Sequence, residues 1–196
     1  MNKRRFMKRN EGYSLVEMII VIAIIAVMTA AAMVTLTIMH NAKAKEAAST
    51  LEDALSQTQS YAKGKMVVIG GTNQPDYRFA LAIHKQGDRY YVKKGYYKGN
   101  GSDMNQYSSY EFPDSENACK GKGESFSAYV TVKYVDDTGT EYDVGELSQS
   151  GDPVYIIYDR QGMCIKGNGK FRFYKKSGDS LISTVTLNKN GSHTSN

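Results

Sequence analysis

The stretch from Tyr13 to Asn41, YSLVEMIIVIAIIAVMTAAAMVTLTIMHN, constrains the chain more than any other: it is apolar for long enough to cross a bilayer, yet it carries one formally charged side chain, Glu17. About 20 apolar residues are enough for a helix to span the hydrocarbon core, so a single membrane-spanning helix is expected, ending near Met39. The residues before it are basic, with Lys3, Arg4, Arg5, Lys8 and Arg9 against Glu11. A basic flank of this kind keeps the N-terminus in the cytoplasm and sends the remainder outside. It also explains the overall charge. The formal net charge of +5 looks like a polyanion-binding signal, but the first twelve residues hold five of the 25 basic residues and only one of the 20 acidic ones, so the rest nearly balances. A global argument for nucleic-acid binding therefore fails.

The residues of the apolar run allow three readings. A secretory signal peptide would use Ala30-Ala31-Ala32 as a small-residue cleavage site, but Glu17 would then sit inside the apolar region, and the run continues past the alanines as MVTLTIM. A plain anchor explains length and orientation and leaves Glu17 as a cost of up to about 3 kcal/mol at a helix centre. The third reading gives Glu17 a role. A short basic leader ending in Gly12, followed by YSLVEMIIVIAII with glutamate at the fifth position after that glycine, resembles the class III leader of type IV pilins and pseudopilins. The resemblance implies cleavage between Gly12 and Tyr13 by a prepilin peptidase, methylation of the new amine on Tyr13, and assembly beside other pilin or pseudopilin subunits. It makes Glu17 the assembly residue. A carboxylate in hydrocarbon is costly alone, whereas the amine of Tyr13 on a neighbouring subunit would neutralise it and set axial register. The chain departs from the usual pattern at Tyr13, where phenylalanine is common, and at Glu11 just before the glycine.

The next stretch, NAKAKEAASTLEDALSQTQSYAKGK, places Ala44, Ala47, Ala48, Leu51, Ala54, Leu55, Thr58, Tyr61 and Ala62 at helical spacing, with Lys43, Lys45, Glu46, Glu52 and Asp53 largely on the other side. No proline or glycine intervenes before Gly64, so one helix is expected over 13–63, roughly 75 Å long at 1.5 Å per residue. An ordinary juxtamembrane helix has the same composition. A subunit that packs by its first half and docks its second half under its own globular domain has use for the length.

Beyond Gly64 the period becomes alternating. YRFALAI and DRYYVKK flank Gln86-Gly87 as a hairpin, SAYVTVKYV runs to a turn at Asp136-Asp137-Thr138-Gly139, and PVYIIY, KFRFYKK and STVTL follow. The fold class expected is α+β, with the long N-terminal helix packed on a mainly antiparallel β ectodomain. Its divisions are a cleaved leader over 1–12, the helix over 13–63 and the ectodomain over 64–196. The segment from Lys94 to Ser125 is rich in Gly, Ser and Asn and reads as one long irregular loop, with 95–125 as a contact surface. The closing half, from Pro153 onward, resembles minor pseudopilins of the secretion-system H subunit and FimT-like group in its strand spacing, Gly162 and a terminal hairpin closing at Gly191. That resemblance implies a minor subunit.

Motifs for chemistry are few. His40, His84 and His193 have no metal-ligand spacing with each other or with the cysteines, and no nucleophile elbow or phosphate-binding loop is present. No enzymatic activity, cofactor or metal is expected. Asp136, Asp137, Glu141 and Asp143 lack the alternating order of a calcium loop and read as a solvated hairpin tip. Asn100-Gly101-Ser102 and Asn190-Gly191-Ser192 match a glycosylation sequon, but Asn-Gly is first a turn signal. Cys119 and Cys164 are the only cysteines, both beyond the membrane run, where a disulfide between them can persist; two buried free thiols are the other reading. From Val154 onward the chain has a local basic excess with Phe171, Phe173 and Tyr174 interleaved, and Arg172, Lys175 and Lys176 are candidates for a nucleic-acid contact of the kind FimT-like pilins make. Against this, KFRFYKK alternates as a half-buried strand should, and the neighbouring segment is acidic, so charge matching within the protein or between subunits is preferred.

Overall fold

The computed structural model describes residues 13–65, 68–69, 72–73, 78–98, 103–112, 123–126, 129–176 and 180–196, with backbone alone at 68–69 and 72–73. In chain order the elements are α1 (Leu15–Gly64), β1 (Val68–Ile69), β2 (Thr72–Asn73), β3 (Phe79–Gln86), β4 (Arg89–Tyr97), a 3-10 turn (Tyr107–Ser109), β5 (Tyr110–Glu111), β6 (Glu124–Phe126), β7 (Val130–Val135), β8 (Glu141–Asp143), α2 (Val144–Gln149), β9 (Val154–Tyr158), β10 (Cys164–Lys166), β11 (Gly169–Lys175), β12 (Leu181–Leu187) and β13 (His193–Ser195). The long helix and the antiparallel sheets make this an α+β fold. The chain divides into two units, Met1–Met39 and His40–Asn196.

In the second unit every strand pairing is antiparallel. One sheet runs β10-β9-β3-β4-β5, with β6 also on β4; the other runs β13-β12-β11-β7-β8; β1 and β2 form a small separate hairpin. The two-residue turn at Gly87 and Asp88 sets the register of β3 on β4, pairing Gln86 with Arg89. Gly87 takes a φ of 61°, the left-handed conformation that such a turn favours. The expected hairpin is present, its turn one residue later than Gln86-Gly87.

Alternation decides what each strand buries. Phe79, Leu81 and Ile83 of β3, Ile156 and Tyr158 of β9, Val130 and Val132 of β7, Phe171 and Phe173 of β11, and Val185 and Leu187 of β12 meet in one core. The part of α1 from Ala44 to Ala62 closes that core with Ala44, Ala47, Ala48, Leu51, Ala54, Leu55 and Ala62, the stripe expected from spacing. Its alanines and the two leucines are all fully buried in that core.

The reverse face of the first sheet is covered as well. Ala80, Ala82, Ile157 and Tyr97 pack under Tyr110 and Phe112, with Met104, Tyr107 and Tyr155 alongside. The segment read as one irregular loop therefore contributes two short strands and a cover: β5 and β6 both pair with β4. Gly95 lets this happen. A Cβ there would lie 2.7 Å from the Glu111 carbonyl and from the Phe112 ring, too close for any other residue. His84 lies on the same strand face, wholly buried, its ring stacked on Tyr91 with centroids 5.6 Å apart. Among the described residues neither of its ring nitrogens has a hydrogen-bond partner. Burial and the Lys93 charge lower its pKa from 6.5 to about 4, so the ring is neutral at pH 7.

Candidate functional site

The residues singled out for processing and assembly lie at the head of α1. Gly12 is outside the described residues; Tyr13 and Ser14 precede the helix, which begins at Leu15. The Glu17 carboxylate reaches back so that Ser14 N donates to Oε2 at 2.8 Å, while Val16 N donates to Ser14 Oγ at 3.2 Å. The two bonds form a reciprocal N-terminal cap in which Ser14 Oγ takes the N2 rather than the N3 amide. It satisfies backbone donors that the first turn of any helix leaves open. Its signal, Ser14-x-x-Glu17, is present in the sequence. The bond occupies one carboxylate oxygen and holds the group at the N-terminal end, one residue from the Tyr13 nitrogen.

From Leu15 to Ile38 every large apolar side chain is exposed, with Leu15 at 77% and Ile22 at 62%. The hydroxyls of Thr29, Thr35 and Thr37 donate back to the carbonyls of Ile25, Ala31 and Met33 at 2.7, 3.1 and 3.2 Å. Polar side chains on this surface are thus satisfied within the helix, as a segment in hydrocarbon requires. Among the described residues α1 is the one helix long and apolar enough to span a membrane.

Residues 7–33 match a family described as the prokaryotic N-terminal methylation motif. The match covers the end of the leader, Gly12, Tyr13, Glu17 and the first part of the apolar run, and it stops before the ectodomain begins. It supports a pilin-like or pseudopilin subunit and, with the exposed apolar helix, anchoring in a membrane. No curated protein and no solved structure matches the chain.

The basic candidates are not gathered at one place. Arg172 Nη1 pairs with Glu141 Oε2 at 2.8 Å, and Lys133 Nζ meets the other oxygen of that carboxylate at 2.9 Å. These two bonds hold Glu141 below its ordinary pKa, the Lys133 bond contributing most. Lys176 Nζ pairs with Asp88 at 3.2 Å. Lys175 is three residues from Arg172 on β11, so the two-residue period puts them on opposite faces. Local charge matching is the arrangement seen at Arg172 and Lys176.

The acidic turn is held by its own hydrogen bonds. Asp136 Oδ1 accepts from Thr138 N, Thr138 Oγ1 and Thr140 N at 2.9, 2.6 and 2.9 Å. Asp143 caps α2 by accepting from Gly145 N and Glu146 N at 2.6 and 3.3 Å. Asp137 pairs with Lys189 at 3.2 Å. Asn190 Oδ1 accepts from Ser192 N at 3.0 Å in the turn that Gly191, at a φ of 81°, closes. Cys164 is a buried free thiol that donates to the Lys166 carbonyl at 3.2 Å, and burial pushes its pKa up to about 12. Cys119 lies outside the described residues. His40 stacks on Tyr129, and His193 Nε2 is 2.8 Å from Ser56 Oγ; the three histidines occupy separate places.

Proposed function

We propose that the chain is a structural subunit of a type IV pilus or secretion pseudopilus, a minor one. It is made with a cytoplasmic leader, cut between Gly12 and Tyr13 by a prepilin peptidase, methylated on the Tyr13 amine and drawn by its helix from the membrane into a filament. The ectodomain lies outside the cytoplasm throughout. The observation that carries this reading is an apolar helical surface exposed among the described residues and one carboxylate held at its head, in a segment that matches a methylation motif.

Physically the design has two states. In the bilayer, lipid covers the apolar surface and Glu17 sits close to the interface, where a charge is cheap. In a filament, neighbouring helices replace lipid, and a second subunit's Tyr13 amine replaces interfacial water beside Glu17. Register follows, because a carboxylate displaced along the axis would be buried without a partner, at a cost of about 3–5 kcal/mol per broken pair.

The test is the intact mass of protein extracted from membranes. A chain beginning at Tyr13 with one added methyl is the expected result. A mature chain beginning near Met33 would show that signal peptidase acts on it, and the reading would fall.

A further inference from the structure

One end of the second unit, the end that holds His40, carries an exposed surface. His40 follows directly on the apolar run, and its ring stacks on Tyr129 with centroids 5.8 Å apart and planes at 21°. Contacts lead outward from there. Lys176 N donates to Tyr129 O at 3.3 Å, Lys175 N donates to Ser180 O at 3.1 Å, and Leu181 pairs with Tyr174 across β11 and β12. Lys176 Nζ reaches Asp88, next to Arg89 in the β3–β4 turn. The start of β7, the β11–β12 hairpin and the β3–β4 turn therefore share the end of the unit that holds His40. The opposite end lies near Gln59, roughly 28 Å further along the helix at 1.5 Å per residue, where Gln59 meets the turns at Gly162 and Gly191.

The composition of the His40 end is distinctive. Tyr129 is 47% exposed and Leu181 50%. Arg89, Lys175 and Lys176 belong to the same end, with Asp88 paired to Lys176. Asp179 lies outside the described residues. Chain connectivity alone sets the level of this surface. If the apolar run spans the bilayer, its last residue, Met39, is at the edge of the hydrocarbon, and a ring stacked on His40 is at headgroup depth. Tyrosine is favoured there because its ring takes the apolar side and its hydroxyl the wet one. Lysines at that depth attract anionic headgroups within a Debye length and extend their amines toward the phosphates.

We propose that the His40 end of the ectodomain is a lipid-facing surface, with Tyr129 and Leu181 seated in the headgroup layer and Arg89, Lys175 and Lys176 set against anionic phospholipids. The occupant is the leaflet in which the subunit waits before assembly. The seat holds the domain against the membrane and must be released for the subunit to enter a filament. The proposal rests on the membrane-anchored reading and goes beyond it.

The experiment uses the full chain reconstituted into vesicles of phosphatidylcholine, alone or mixed with phosphatidylglycerol, with benzoylphenylalanine replacing Leu181 or, at the opposite end, Thr138. Irradiation is expected to give lipid adducts at position 181 and few at 138, with a several-fold rise at 181 when phosphatidylglycerol is present. Lys175→Gln with Lys176→Gln should remove most of that rise. Equal labelling at the two positions in vesicles that retain the chain through alkaline carbonate overturns the lipid seat and leaves the anchor standing. Labelling at 181 that ignores lipid charge overturns the anionic partner. Loss of the chain from the vesicles in carbonate overturns the anchor itself, and the seat with it.

Discussion

Two parts of one helix, Leu15 to Met39 and His40 to Gly64, have the same backbone and opposite surroundings. In the first, Ile, Val, Leu and Met side chains stand exposed all round; in the second, a narrow stripe of alanines with Leu51 and Leu55 is fully buried, and Lys, Glu, Asp and Ser occupy the rest. The contrast teaches where each part gets its stability. An amphipathic helix is completed by its own domain. A helix apolar on every side has to be completed by something else, and lipid and neighbouring helices are the two media that do it without water. Glu17 then stands out as the one charged side chain of the first part, while charged groups in the second are routine.

The largest effects should separate the two parts cleanly. Leu51→Ala removes a fully buried side chain from the core that the helix shares with the two sheets and should cost the ectodomain about 4 kcal/mol, read as a lower denaturant midpoint by tyrosine near-ultraviolet dichroism of the detergent-solubilised chain. Glu17→Ala should leave that midpoint unchanged within about 0.5 kcal/mol and leave membrane abundance normal, yet remove the subunit from sheared fibres or from crosslinks to other pilins. A drop in ectodomain stability with Glu17→Ala, or normal incorporation of it, would erase the distinction between a part that folds and a part that assembles.

Much of this distinction was legible in the chain. The apolar run, the 3–4 spacing from Ala44 to Ala62 and the strands of alternating residues depend on local pattern, and each matches the structure. What escaped was non-local or masked by a louder signal. The return of residues 103–112 over the first sheet could not be read, because it depends on pairing with β4 far from any turn motif; its only traces were Gly95 and the small apolar Ala80 and Ala82 on the strand face usually given to water. The short helix α2 was announced by Asp143 and Glu146 in capping positions, but six residues are too few for periodicity to register. The Ser14–Glu17 cap has a local signature, but a glutamate that is also the only charge of an apolar run carries two signals at one position.

A second prediction probes the covered face of the first sheet, where burial has a pH cost. His84 is neutral in the fold with its pKa lowered to about 4, while in the unfolded chain it takes up a proton near 6.5. The unfolded state therefore binds more protons between those values, and stability that is whole above pH 6.5 is lost as the pH falls toward 4. At 1.36 kcal/mol per pH unit the loss amounts to about 3 kcal/mol. His84→Leu keeps the volume, lacks the titration and should be flatter over that window, the difference between the two denaturant midpoints at pH 7 and 4.5 being the measurement. Parallel curves for the two proteins would mean that His84 meets a proton acceptor in the fold.

The smallest effect concerns how the packed part of the helix is tied at its far end. Gln59 Nε2 donates to the Gly162 carbonyl at 2.8 Å and to the Gly191 carbonyl at 3.2 Å, so one amide joins the helix to the β9–β10 and β12–β13 turns. Both glycines take the left-handed conformation, with φ of 79° and 81°. The two turns approach so closely that a side chain at Gly191 would meet the Gly162 carbonyl. With glycine there the carbonyls converge on a single donor. Gln59→Ala should cost about 1–2 kcal/mol, the range for leaving partly buried acceptors unmade. Gln59→Glu should cost more than Gln59→Ala at pH 7, since a carboxylate of nearly the same shape offers no donor and sets a negative charge against two carbonyl dipoles. Membrane retention should be the same for both variants, because the tie lies wholly within the part of the helix that the ectodomain completes. Wild-type stability of Gln59→Glu beside a destabilised Gln59→Ala would show that Gln59 contributes packing and that the donor itself is immaterial.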